Sequence, residues 1–288
     1  MKLEHPIAFV FSGGSSLGAL HVGMLKATQE FGIQPDFLVG SSVGALNAAW
    51  MGADYSAAQI KILEDFWESL HTRDIFQDIS LRSFLAFMRG SSGSVSSLKG
   101  LEKIIFQRFP PLFSNLKIPT HVMVSDLTSG SPIDFEEGDL RLSLLASTAI
   151  PGIFPSVKMG ERELADGSLT AHLPLQRALA LGAKTILIFD SSYPCKLQKI
   201  PSHYIPKLLY MLTIMIQQQA RCTVSLSKEK GASLIYLPVP CPISVMPHDF
   251  SQSKFLIEKT YGLTKEFLKK HENFAGGYIG GPHIHHSS

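Results

Sequence analysis

Phe37-Leu38-Val39-Gly40-Ser41-Ser42-Val43-Gly44-Ala45-Leu46-Asn47-Ala48-Ala49 is the stretch on which the fold turns. Three apolar residues read as a short buried strand, and the alanine-rich segment from Val43 to Met51 reads as a helix. A strand that passes at once into a helix must bend sharply, and Gly40 and Gly44 leave room for the bend. Between them stands Ser42, the centre of a Gly-x-Ser-x-Gly pentapeptide. In a strand–turn–helix setting this motif lifts a serine hydroxyl above the sheet on strained backbone. The helix N terminus beneath it carries partial positive charge, which suits a developing oxyanion.

Toward the start of the chain the same alternation repeats. Ile7 to Phe11 is an apolar strand, and Ser12-Gly13-Gly14-Ser15-Ser16-Leu17-Gly18 is a glycine-rich turn. Leu20, Met24, Leu25 and Ala27 then follow helical spacing from Gly18 to Phe31, with Gly32 as a stop. Strand, helix, strand, helix implies an α/β protein with a parallel sheet and helices on its faces. Further on, the pattern predicts a helix over 54–70, a strand over 120–124 with an antiparallel return at 133–135, and a helix over 140–149. A helix over 175–181 leads to a buried strand at 184–189. After Tyr193 the reading is irregular and rich in proline. No repeat and no domain boundary stands out, so 1–288 reads as one domain with its core in about 7–192.

Composition narrows the function. Of 288 residues, 45% are hydrophobic and 17% charged, enough apolar material for a core and too few charges for disorder. The net charge of +2 and the lack of a basic block point away from nucleic acid. Cys195, Cys222 and Cys241 are odd in number and widely spaced, as expected of reduced thiols in a cytoplasmic protein and not of a zinc site. The N-terminal apolar run is too short for a signal peptide. Ile205 to Ile216, broken by Pro206, Lys207 and Thr213, is too short to span a membrane.

A serine nucleophile needs a base. The histidines offer none: His21 sits in a helix, His121 opens a strand, His248 lies in a proline-rich loop, and His283, His285 and His286 belong to the tail. Asp166 in Leu164-Ala165-Asp166-Gly167-Ser168 is a lone acid after an apolar pair, at a glycine turn. The earlier glycine turn offers backbone N–H groups to an anion, as an oxyanion hole beside the elbow or as a dinucleotide cradle. No Gly-Lys-[Ser/Thr] follows it, so it is not a P-loop.

Together these residues resemble the patatin-like phospholipase family. Gly13 to Gly18 is similar to its oxyanion loop, Gly40 to Gly44 to its nucleophile elbow, and Asp166-Gly167-Ser168 to its Asp-Gly-Gly/Ala motif. Ser125 to Gly130 and Ala146 to Pro155 resemble segments between them, and order and spacing agree over about 7–192. The resemblance implies a three-layer α/β/α fold with a mostly parallel sheet. It also implies a Ser42–Asp166 dyad without a catalytic histidine, and acyl ester hydrolysis with no metal or cofactor. The N–H groups of Gly13, Gly14 and Ser15 would then hold the oxyanion, and a lipid or other ester would be the partner, with peripheral membrane contact or non-classical export open. Two departures stand out. Ser15 and Leu17 replace the usual glycine and cation of the loop, which favours simpler esters over phosphate-bearing ones, and Ser168 replaces Gly or Ala. Three functions stay in play: a phospholipase A or lysophospholipase, a short-chain carboxylesterase or thioesterase, and a catalytically silent lipid-binding protein. Residues 75–88, rich in phenylalanine beside Ser91-Ser92-Gly93-Ser94, read as a lid or as an ordinary helical piece. Pro206 to Ala220, with Leu208, Leu209, Leu212, Met215 and Ile216 at helical spacing, reads as core-facing.

Overall fold

The computed structural model describes residues 1–76, 93–192, 204–228, 230–241, 243 and 245–282. Its strands are β1 (Ile7–Phe11), β2 (Phe37–Ser41), β3 (Thr120–Asp126), β4 (Pro132–Phe135), β5 (Val157–Met159), β6 (Arg162–Asp166), β7 (Thr185–Phe189), β8 (Ser233–Tyr236) and β9 (Tyr278–Ile279). They form one sheet in the order β5-β6-β3-β2-β1-β7-β8-β9, with β4 pairing on β3. β1, β2, β3, β7, β8 and β9 are parallel. β4 and β6 run antiparallel to β3.

Helices α1 (Ala19–Glu30), α2 (Val43–Ala53), α3 (Ala57–Ser69), α4 (Thr72–Ile75), α5 (Lys99–Arg108), α6 (Leu140–Ser147), α7 (Ser168–Ala171), α8 (Leu175–Ala180), α9 (Tyr204–Ser227) and α10 (Ser253–Lys270) surround the sheet. Alternate residues of the central strand feed two cores. Ile7, Phe9 and Phe11 join Leu20, Met51, Ile60 and Leu256 on the face of α1, α2, α3 and α10. Ala8 and Val10 join Leu175, Ala178, Ala220 and Val224 on the face of α8 and α9. A strand buried on both sides needs the unbroken apolar run that Ile7 to Phe11 supplies. The three-layer α/β/α reading therefore holds, with antiparallel strands added at one side.

Helix starts follow local chemistry. Ser56 Oγ accepts the Gln59 N–H at 3.3 Å, and Asp139 Oδ1 accepts that of Leu142 at 2.9 Å. α3 therefore begins later than position 54. The irregular reading after Tyr193 does not hold. The described part contains the 24-residue α9, β8 and the 18-residue α10, which lies along α1. Among the described residues no helix is long and apolar enough to cross a membrane.

Register then sets the site. Ser41, the last residue of β2, pairs with Met123 of β3, and Asp166, the last residue of β6, pairs with the next residue, Val124. Because β6 runs backwards, its end stops level with the end of β2. β2 and β6 share one edge of β3, with β4 on the other, so Ser42 and Asp166 meet head to head along it.

Candidate active site

Ser42 has φ 55° and ψ −130°, a backbone that a non-glycine residue adopts only under constraint. The constraints are visible. A β-carbon on Gly40 would strike the backbone of Gly44 and Ala45, and one on Gly44 would strike the carbonyls of Phe11 and Ser12. Ser147 adds a brace, since its Oγ accepts the Ser42 N–H at 3.0 Å and donates to the Met123 carbonyl at 2.7 Å. The Ser42 Oγ donates to Asp166 Oδ2 at 2.6 Å.

Asp166 is buried, and its other oxygen accepts the Ser168 N–H at 2.7 Å. No cation among the described residues pairs with it. Burial lifts its pKa from 3.8 to about 6, and the hydrogen bonds from Ser42 and Ser168 pull the other way. Its backbone is fixed on three sides: its N–H donates to the Ala149 carbonyl at 3.0 Å, Gly167 N–H to that of Ser147 at 3.2 Å, and Ser125 Oγ to the Asp166 carbonyl at 2.8 Å.

The glycine turn, which passes into one turn of 3-10 helix at Ser15–Gly18, lies against this pair. Its three expected donors divide. Gly13 N–H is already committed to the His172 carbonyl at 3.2 Å, whereas no described residue accepts from Gly14 or Ser15. Ser15 has φ 53°, so the position that departs from the family's glycine does sit in left-handed backbone. Leu17, in place of a cation, is buried.

From Ser42 an apolar pocket of about 60 Å³ runs between Val43, Leu46, Trp50, Trp67, Phe154 and Phe250. Ile75 and Phe76 also line it, while the rest of the 75–88 segment lies outside the described residues. Ser15, Asn47 and Thr148 add polar groups to the wall, and Asn47 is already paired. Its Oδ1 accepts Trp67 Nε1–H at 3.1 Å, and its Nδ2 donates to the Gly18 carbonyl at 3.0 Å and to His21 Nδ1 at 3.1 Å. Burial drops His21 to about 3, so it stays neutral behind the pocket.

His121 pairs with Asp134 at 2.8 Å and Glu136 at 3.3 Å. Arg177 Nε donates to the same Asp134 oxygen at 2.5 Å and already supplies the cation that these acids attract. His248 hydrogen-bonds through its carbonyl to Thr72 Oγ1. His283, His285 and His286 lie outside the described residues, as does Cys195.

Five of the eleven histidines were not weighed from the sequence, His172 among them. His172 is buried against the glycine turn, and its Nε2 lies 2.7 Å from Ser192 Oγ. Ser192 donates to Asp190 Oδ1 at 2.5 Å, so His172 donates from Nε2 and keeps a lone pair on Nδ1. Burial lowers its pKa to about 4 and the Asp190 charge raises it. A β-carbon on Gly13 would lie 3.2 Å from that Nδ1 and 3.2 Å from Ser42 Cβ, so His172 walls the site without bonding to Ser42. No local motif marks it, because its partners come from residues 13 and 190–192. The dinucleotide reading of the turn fares poorly. Tyr261 and Lys265, a Tyr-x-x-x-Lys pair, lie on α10 and bond to Glu30 at 2.7 and 3.0 Å on the surface.

A family model described as patatin-like phospholipase matches residues 9–179. The chain belongs to the patatin-like phospholipase family. Patatin-like phospholipase domain-containing protein 7 of Rattus norvegicus is 28% identical over 187 residues, which are 64% of this chain and 13% of that protein. An uncharacterized NTE family protein of Mycobacterium tuberculosis is 28% identical over 171 residues, 59% of this chain and 44% of that protein. The chain thus spans a small part of these curated relatives. VipD from Legionella pneumophila shares the patatin-like fold at TM-score 0.50 and 14% identity, over 93% of this chain and 67% of that one.

Proposed function

We propose that this patatin-like domain is a serine-dependent lipid acyl hydrolase of phospholipase A or lysophospholipase type. The 2.6 Å hydrogen bond from Ser42 to a buried Asp166, at the head of an apolar pocket, carries the reading. As the Ser42 oxygen attacks the ester carbonyl, its proton passes to Asp166 Oδ2. The developing oxyanion is met by the N–H groups of Gly14 and Ser15, and Gly13 serves to hold the turn. Asp166 returns the proton to the leaving alcohol. Water then attacks the acyl-enzyme, giving its proton to Asp166, which passes it to Ser42 Oγ as the ester bond breaks and the acid leaves. The raised pKa of Asp166 suits a base that must accept a proton and part with it near neutral pH.

The narrow pocket and the buried Leu17 support a second reading, a short-chain carboxylesterase or thioesterase on the same dyad. Hydrolysis of p-nitrophenyl esters from C4 to C16 separates the two by chain-length profile, in EDTA with wild type, Ser42→Ala and Asp166→Ala side by side. Loss in both variants supports the dyad. Inactivity on every ester, with Ser42 unlabelled by a fluorophosphonate, would leave a silent lipid-binding protein.

A further inference from the structure

α9 is too long for its place in the fold. It connects β7, of five residues, to the adjacent parallel β8, of four. Such strands extend about 17 and 13 Å. A helix of 24 residues extends roughly 36 Å, so a large part must overhang. A crossover between parallel strands runs back against them, so α9 begins at the carboxyl edge of the sheet, the edge that carries Ser42 and Asp166.

Burial says which end overhangs. The described side chains from Lys207 to Gln219 are exposed or half-buried, and burial starts at Ala220 and continues through Val224 and Ser227. The junction is Gln219. Its Oε1 accepts the His172 N–H at 3.1 Å, and its Nε2 reaches the carbonyls of Leu169 and Thr170 at 3.5 and 3.4 Å. The helix is bolted there to the segment that follows Asp166, and the 15 positions before it project roughly 20 Å beyond.

The projecting half is apolar where water would favour polar groups. Met211, Ile214 and Met215, at spacing i, i+3 and i+4, are 53%, 40% and 67% exposed. Met215, expected in the core from its spacing, faces out instead. Leu169, beside the Gln219 junction, is 44% exposed. Charge adds a direction. From Asp190 to the Gln219 junction the sequence holds Lys196, Lys199 and Lys207 and no acid. A second copy docked by two-fold symmetry would set this cationic stretch against itself. An anionic lipid surface takes both the apolar side chains and the positive charge.

We infer that the projecting half of α9 docks on an anionic lipid surface, inserting Met211, Ile214 and Met215, and so brings the carboxyl edge of the sheet to the membrane. The purpose rests on the lipid-hydrolase reading, and the binding itself does not.

Co-sedimentation with phosphatidylcholine vesicles, with and without phosphatidylglycerol, tests it. The wild type and Ser42→Ala are expected to partition equally, onto the phosphatidylglycerol vesicles and much less onto phosphatidylcholine alone. The double variant Met211→Asp/Met215→Asp should lose at least tenfold in partition while keeping hydrolysis of a water-soluble short-chain ester within twofold. Lys207→Ala should lose about fivefold, the worth of roughly one cation near an anionic surface. Equal partition of wild type and double variant overturns the inference. So does wild-type binding that ignores phosphatidylglycerol. A concentration-dependent dimer in sedimentation equilibrium, broken by the double variant while vesicle binding is unchanged, overturns it in favour of a second copy. Since Ser42→Ala is compared by binding alone, an inactive enzyme that still binds sinks the hydrolase reading and spares this one.

Discussion

Two strand-to-helix turns meet in this site, and each holds a serine in left-handed backbone, Ser42 at φ 55° and Ser15 at φ 53°. They are held differently. The Ser42 elbow is over-determined, with Gly40 and Gly44 pressed on backbone and the Ser147 hydroxyl fixing its N–H. Ser15 is held through its neighbours, since a β-carbon on Gly14 would lie 2.5 Å from the Ser191 carbonyl and the Ser16 N–H donates to the Pro247 carbonyl at 3.0 Å, while its own N–H has no described acceptor. A positive φ thus serves two ends. At the elbow the surroundings force the conformation on the residue proposed as the nucleophile. In the glycine turn the proposed oxyanion role asks for the Ser15 N–H, while Ser15 also lines the pocket.

The largest expected effect comes from the elbow's partner. Asp166→Asn removes the base and should cut ester hydrolysis by about 10⁴-fold or more. It should also raise the melting temperature by several degrees. The folded pKa of about 6 lies above the unfolded 3.8, so the buried charge costs stability above pH 6 and that cost vanishes below pH 4. At pH 7 it amounts to about 3 kcal/mol. A lower melting temperature for Asp166→Asn would show that its hydrogen bonds outweigh its desolvation.

Ser147→Ala should come next. It leaves the Ser42 N–H buried and unpaired, at about 1–3 kcal/mol in denaturant unfolding, and loosens the elbow enough to lower kcat about tenfold. Unchanged kcat would mean that the two glycines suffice. The pH profile should follow. With Asp166 proposed to act as a carboxylate, kcat/KM should rise tenfold per pH unit up to about pH 6 and level off above it. A limb near pH 4 would place the base in a wetter setting than the structure has. The smallest effect is Ser15→Gly, which relieves left-handed strain of about 1 kcal/mol and should change kcat by less than threefold. A large loss of rate there would give the Ser15 side chain a role and dissolve the contrast between the turns.

Much of this site was legible in the sequence because its parts are local. A turn that needs glycine at fixed offsets, as at Gly13-Gly14 and Gly40 to Gly44, leaves its mark wherever it occurs. Asp166 was legible through its own turn. What was missed depends on distant partners. His172 gains its meaning from Gly13 and Ser192, and Ser147 from Ser42 and Met123. The commitment of Gly13 N–H to a carbonyl could not be read from glycine spacing either. α10 escaped notice because its buried line, Leu256, Ile257, Thr260, Thr264 and Leu268, carries threonine where an apolar residue would have shown the period. β8 is four residues long among prolines, and β5 and β6 expose Lys158, Arg162 and Glu163.

The sheet also ends in a particular way. Its outermost strands are the four-residue β4, the three-residue β5 and the two-residue β9, while the long apolar runs of β1, β2 and β7 sit inside. An open sheet invites another chain to add itself along any long unpaired margin. Here the margins are too short to template such growth. The segments most prone to fibre formation are shielded by position, so a protein with this much apolar strand can be concentrated without stacking edge to edge.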